Sequence, residues 1–305
     1  MDEGFARHPR GPRPVARAPT RDLRGSSDSA DLQQRDPVRK ADNPMTPAPA
    51  RSWLRRFRPR PGARTRLVCL PHAGGGANAY RAWAALLPSG VDLVCVQYPG
   101  REDRFGEPLV DDMATVVTAV AEELTPLLDR PYALFGHSMG SAVAYELART
   151  LRAAGLPEPD RLFASGRRAP ADAPPGRVHL ADDEAIVSEL VRLGGTRREV
   201  LEEPGLREAV LGYVRNDYRL VERYTPFPGP PLSCPVSVFL GDDDPEVDAD
   251  LARRWSATTS GRVDVRVFAG DHFYLGPERE AVVSEVLRRL DPALAAAPGP
   301  WPSTP

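Results

Sequence analysis

The fold is decided by Tyr132-Ala133-Leu134-Phe135-Gly136-His137-Ser138-Met139-Gly140-Ser141-Ala142-Val143-Ala144-Tyr145-Glu146-Leu147-Ala148. An apolar run leads into Gly-x-Ser-x-Gly, and apolar residues then recur at helical spacing, so the segment reads as strand, tight turn and helix. A serine at such a turn sits in strained backbone with its hydroxyl raised above the sheet edge. Gly136 and Gly140 let the helix and the neighbouring strand approach closely enough to allow it. Ser138 is thereby placed to act as a nucleophile.

A serine hydroxyl needs a base at neutral pH, and the base needs a group that fixes its tautomer. Five histidines are available. His8 lies in a tail, His72 follows an early strand, His137 is locked in the turn beside Ser138, and His179 sits in a polar stretch. His272, in Val265-Arg266-Val267-Phe268-Ala269-Gly270-Asp271-His272-Phe273, is the one that follows a late strand. It is the expected base.

Upstream of the turn, Arg66-Leu67-Val68-Cys69-Leu70-Pro71 reads as a strand, followed by the loop His72-Ala73-Gly74-Gly75-Gly76-Ala77-Asn78 and a helical pattern over 80–87. The loop lacks the spacing of a phosphate-binding glycine motif. It fits better as a source of one backbone N–H for an oxyanion, the second coming from the residue after the nucleophile. Those donors are Ala73 and Met139. A second strand over 91–100, a helix over 113–128 and a further strand, Arg161 to Gly166, complete a strand–helix rhythm. That rhythm predicts a mostly parallel sheet with helices on both faces and its active groups at the carboxyl ends of the strands.

The rhythm breaks over about 180–226, where helix-like pieces occur without a strand. The apolar face of Leu206, Val210, Leu211, Val214, Tyr218 and Val221 is expected to form either a lid over the site or ordinary packed core. The next strand, Pro235 to Leu240, ends in Gly241-Asp242-Asp243-Asp244-Pro245. No second acidic cluster completes a metal site, so a carboxylate orienting His272 is the better use. Asp244 is preferred, with Asp242 and Asp243 still possible from spacing; Asp172, after the preceding strand, is a further alternative.

Residues 1–62 are dense in Pro, Arg, Asp and Ser and are expected to be disordered, as are 293–305, leaving 63–292 as the folded domain. Met45 is an alternative first residue. About sixteen basic and seven acidic side chains lie in residues 1–66, so a chain of net charge −2 carries about −11 in the remainder. Without aromatic interleaving or amphipathic period, the basic stretch gives no case for nucleic acid or membrane binding. No apolar segment reads as a signal or a bilayer span. The scattered Cys69, Cys95 and Cys234 have neither disulfide nor metal spacing, and a cytoplasmic location and a monomer are expected.

Taken together, Leu70-Pro71-His72-Ala73-Gly74-Gly75, Gln97-Tyr98-Pro99-Gly100-Arg101, Phe135-Gly136-His137-Ser138-Met139-Gly140, Ser165-Gly166-Arg167-Arg168-Ala169-Pro170 and Gly270-Asp271-His272-Phe273 resemble the type II thioesterases of modular polyketide and non-ribosomal peptide synthases. The match runs from about Arg66 to Leu290. The resemblance implies an α/β-hydrolase fold with a helical lid and a Ser138–His272–Asp244 triad, with Ala73 and Met139 as oxyanion donors. It also implies hydrolysis of acyl thioesters from the phosphopantetheine arm of acyl or peptidyl carrier proteins. No cofactor is required, since the arm belongs to the substrate. Where the family more often has Gly, Asp271 places an extra carboxylate beside the base, which is expected to raise its pKa. Arg101, Arg104, Arg167 and Arg168, on loops at the active edge, are expected to dock the acidic carrier protein. A free-standing esterase, an acyltransferase, or a non-catalytic synthase-binding scaffold are the alternatives.

Overall fold

The computed structural model describes residues 52–194 and 203–295. Among the described residues seven strands form one sheet: β1 (Leu54–Arg55), β2 (Thr65–Leu70), β3 (Val91–Val96), β4 (Tyr132–His137), β5 (Arg161–Ser165), β6 (Val236–Gly241) and β7 (Val263–Phe268). Their spatial order is β1-β3-β2-β4-β5-β6-β7. All neighbours from β3 through β7 run parallel, and β1 alone is antiparallel. The helices are α1 (Trp83–Leu86), α2 (Met113–Leu124), α3 (Met139–Ala153), α4 (Asp183–Arg192), α5 (Pro204–Glu222), α6 (Ala249–Arg253), α7 (Arg279–Leu290) and α8 (Pro292–Ala295).

Strand side chains alternate between two apolar layers, as a period of two requires. Val68, Leu70, Leu134, Leu162, Val236 and Val238 face α2 and α3, meeting Val116, Val120, Val143 and Leu147. Leu67, Cys69, Phe135, Phe163 and Phe239 face the other way, onto Trp83 of α1 and Val282 and Val286 of α7. The three cysteines are buried and unpaired. The α4–α5 insertion has an apolar cluster of its own, built on Ile186, Val187, Leu190, Val210, Leu211 and Val214.

Strand order fixes where chemistry belongs. From β2 the chain crosses to β3 on one side, then returns to β4 on the other, so the loops leaving β2 and β4 diverge at a topological switch point. The first loop carries Ala73 and the second carries Ser138.

The folded chain starts earlier than position 63. Trp53 donates its N–H to Glu123 Oε1 at 2.8 Å, and its carbonyl accepts from Gln97 N at 2.7 Å. Arg56 pairs at 2.6 Å with Asp92, and Phe57 packs on the α1–α7 layer. Trp53, Leu54 and Phe57 provide the burial that the surrounding Pro and Arg obscure. At the other end, α8 reaches Ala295 with Leu294 buried. The expectations for residues 1–51 and 296–305 lie outside the described residues.

Candidate active site

Ser138 occupies φ 52°, ψ −116° between β4 and α3, one of two non-glycine residues at positive φ among those described. Close approach of backbone makes this possible. A Cβ on Gly140 would stand 2.0 Å from the Leu70 carbonyl oxygen, and one on Gly136 would stand 2.1 Å from the Gly140 carbonyl oxygen. Ser141 Oγ ties the turn together, donating toward the carbonyls of Gly136 (2.8 Å) and Ser165 (3.0 Å) and accepting from Ser165 N.

The loops after β6 and β7 are laced by backbone. Asp242 N donates to Phe268 O at 2.8 Å, Asp243 N to Gly270 O at 3.0 Å, and Gly270 N to Asp242 Oδ1 at 2.8 Å. This lacing brings Asp244 under His272, whose Nδ1 lies 3.0 Å from both carboxylate oxygens. Both side chains are buried. Asp244 Oδ1 also accepts from Glu246 N at 2.9 Å, which fixes the carboxylate from the far side. Of the three adjacent aspartates, Asp242 therefore staples the loops, Asp243 is exposed, and Asp244 meets the imidazole. Asp172 instead pairs with Arg254 at 3.0 Å. Among the described residues no group of three or more His, Cys, Asp or Glu side chains is placed to hold a metal.

A cavity of about 230 Å³ brings the pieces together: Ser138, His272, Ala73 and Met139 all line it. With Nδ1 held by Asp244, Nε2 is the imidazole nitrogen left for Ser138. Neither the Ala73 nor the Met139 N–H donates to a described residue. Ser138 Oγ makes no hydrogen bond to a described residue either, consistent with catalytic hydrogen bonds that tighten only around substrate.

Two other histidines crowd the base. The His137 ring lies 5.0 Å from that of His272 and 5.7 Å from that of His72. Burial, with His272 as a second cause, holds His137 well below its ordinary pKa, and the same two causes lower His72 to about 3. Both remain neutral, so they add no charge beside the base. Asp271 Oδ1 accepts from Phe273 N at 2.8 Å, and its carboxylate lies against Gly194.

Of the four arginines expected on a docking surface, Arg101 and Arg104 are placed otherwise. Arg101 is 3% exposed and forms an ion pair with Asp217 of α5. Arg104 is 4% exposed, pairs with Glu107, donates to Gln97 O and lies 4.6 Å from the Trp53 ring. Both are structural cations, unavailable to a partner surface. Arg167 and Arg168 line the cavity itself. Arg168 donates to Glu246 O at 2.6 Å, whereas the buried Arg167 Nε has no partner among the described residues, and burial lowers that guanidinium to about 10.

The insertion contributes Val178, Glu189, Leu193, Tyr218, Val221 and Glu222 to the cavity wall. Leu206 is exposed, while Val210, Leu211 and Val214 pack within the insertion. One apolar face thus serves both packing and cavity. Asp217 was not singled out from the sequence, although a signal exists. It lies on the same helical stripe as Val210, Val214 and Val221, where a carboxylate is out of place unless paired.

The thioesterase domain family matches residues 65–291. The chain belongs to the thioesterase domain family. A probable cadicidin biosynthesis thioesterase from Streptomyces griseus is 41% identical over 286 residues, covering 93% of this chain and 78% of the relative. The solved type II thioesterase BorB of the borrelidin biosynthetic cluster superposes on this thioesterase with a TM-score of 0.72 at 42% identity, covering 79% of this chain and 99% of BorB. YbtT, a type II thioesterase from the yersiniabactin NRPS/PKS pathway, gives 0.72 at 29% identity, covering 80% and 100%. The sheet and flanking helices are those of the α/β-hydrolase fold shared by these neighbours. Among the described residues no helix is long and apolar enough to cross a membrane.

Proposed function

We propose that this thioesterase is an editing enzyme that hydrolyses acyl thioesters from the phosphopantetheine arm of carrier proteins in a cytoplasmic polyketide or non-ribosomal peptide synthase. The observation that carries the proposal is the single cavity lined by Ser138, His272, Ala73 and Met139, with Asp244 bound to the far side of the imidazole. His272 Nε2 takes the proton of Ser138 Oγ as the oxygen attacks the thioester carbonyl. The N–H groups of Ala73 and Met139 hold the resulting oxyanion. The intermediate collapses with cleavage of the C–S bond, and the imidazolium gives its proton to the departing thiolate. Water then attacks the acyl-enzyme with the same histidine as base, releasing the acid and restoring Ser138.

At about 230 Å³ the cavity falls below the usual range for drug-sized ligands, which favours short acyl chains over a mature polyketide. Helices α4 and α5 act as the lid in this reading, and the pantetheine is substrate, so no cofactor is bound. Turnover of a panel of acylated carrier proteins, acyl-N-acetylcysteamines and nitrophenyl esters tests the proposal. Acyl-carrier substrates should be preferred, and Ser138→Ala should be inert and unlabelled by a fluorophosphonate. Undiminished turnover by Ser138→Ala would remove the mechanism; a preference for oxygen esters would make the protein an esterase.

A further inference from the structure

The oxyanion loop is held from outside the sheet by helix α5. The peptide that presents the Ala73 N–H has its carbonyl end, His72 O, bound by Gly75 N at 2.9 Å. The next amide, Gly74 N, donates to Asp217 Oδ2 at 2.8 Å. The Gly75 carbonyl accepts from Arg101 Nη1 at 3.3 Å. Three neighbouring peptide groups are therefore pinned, two of them by one ion pair.

That pair is built for orientation. Arg101 Nη2 meets Asp217 Oδ1 at 2.8 Å, while Nη1 meets Oδ2, a two-point contact between planar groups. Asp217 is 2% exposed, and its pairing partner is a guanidinium sandwiched near the Tyr98 and Tyr213 rings, at 5.5 and 4.9 Å. Gly74 has φ 82°, and a Cβ there would stand 2.9 Å from Val214 Cγ2 of α5, so loop and helix are in direct contact. A buried ion pair is weak evidence for stability, because desolvation offsets most of its attraction. Its value here lies in geometry.

We propose that Asp217, paired with Arg101, is a positioning residue that sets the direction of the Ala73 N–H, so that the placement of helix α5 controls whether the oxyanion hole is formed. The inference rests on the reading of Ser138 and Ala73 given above. Asp217 touches no reacting atom. Its carboxylate alone can accept from Gly74 N and from both guanidinium nitrogens together; an asparagine can serve one side, while its amide hydrogens oppose the other.

The test is steady-state kinetics of Asp217→Asn on an acyl-N-acetylcysteamine thioester, with the affinity for a trifluoromethyl ketone that forms a tetrahedral serine adduct measured alongside. The kcat should fall about 10- to 100-fold, as for an oxyanion donor displaced rather than deleted, with KM within about threefold. Ketone affinity should fall in parallel with kcat. The double variant Arg101→Met with Asp217→Leu removes the clamp without leaving a buried charge, and it should show the same loss while remaining folded. Should Asp217→Asn fail to fold, the double variant decides. Wild-type kcat in either folded variant, or a rise in KM alone, would overturn the proposal. Activity surviving in Ser138→Ala would instead overturn the underlying site, a separate result.

Discussion

Replacing Gly140 with Ala tests how tightly geometry links the serine turn to the sheet. The added Cβ would lie 2.0 Å from Leu70 O and 2.7 Å from Pro71 O, both backbone atoms with no rotamer to change. Ordinary contact begins at 3.4 Å, so the start of α3 and the end of β2 must separate by about 1.4 Å. Overpacking of this kind costs about 1–3 kcal/mol. The same separation pulls Met139 N away from Ala73 N, because one sits on each moving part. A displacement of about 1 Å costs roughly 100-fold in rate, or about 2.7 kcal/mol of transition-state stabilisation. The assay pairs kcat on an acyl-N-acetylcysteamine with urea unfolding. Gly212→Ala is the control: a Cβ there meets nothing within 4 Å in the middle of α5, and it should gain about 0.5–1 kcal/mol with unchanged kcat. A Gly140→Ala enzyme with kcat within threefold of wild type and unchanged stability would refute the reasoning.

Asp244→Asn should lower kcat about 1,000-fold with little change in KM, since the amide no longer selects the required imidazole tautomer; a loss under tenfold in a folded protein would reassign the acid. Acid should destabilise the fold through His137 and His72, whose folded pKa values are depressed, the latter to about 3. Protons then bind the unfolded chain first, so their contribution is intact above pH ~6.5 and falls as pH drops below it, for His72 by up to about 2 kcal/mol at pH 5. Urea unfolding at pH 7.5, 6 and 5 should show a shallower pH slope in His72→Gln, and an identical slope would refute this. Burial pushes the Cys234 thiol up to about 12 and raises those of Cys69 and Cys95 from the usual thiol range, so iodoacetamide at pH 8 should modify none in the native protein and all three in urea.

The strands and the serine turn were legible because their signals are local. Short apolar runs and a Gly-x-Ser-x-Gly spacing need no knowledge of distant partners, and β2 to β7 fall where those runs lie. Among Asp242, Asp243 and Asp244, preference could be argued but not settled, since successive residues of a turn point in different directions and only the loop after β7 shows which one meets His272. Arg101 and Arg104 failed as docking residues for the opposite reason. Arg101 finds its partner 116 residues away on α5, and Arg104 stacks near Trp53, in a segment whose composition hid its fold. A cation on a loop looks solvated until its buried acid is placed. Asp217 was missed by the same blindness, seen from the other end of the pair.

The two-residue strand β1 has a reach out of proportion to its length. It lies along β3, the flank where a parallel sheet would otherwise offer a bare row of amide and carbonyl groups, and the residues that follow it bring Arg56 and the Arg60 amide to the fully buried Asp92. Trimming the protein to the span that the thioesterase domain family model matches, starting at residue 65, would uncover that row and leave Asp92 with Arg66 alone. Such a row is a template for pairing with a second molecule. Removing residues 52–62 is therefore expected to promote strand-to-strand association, registering in sedimentation and solubility before it registers in turnover.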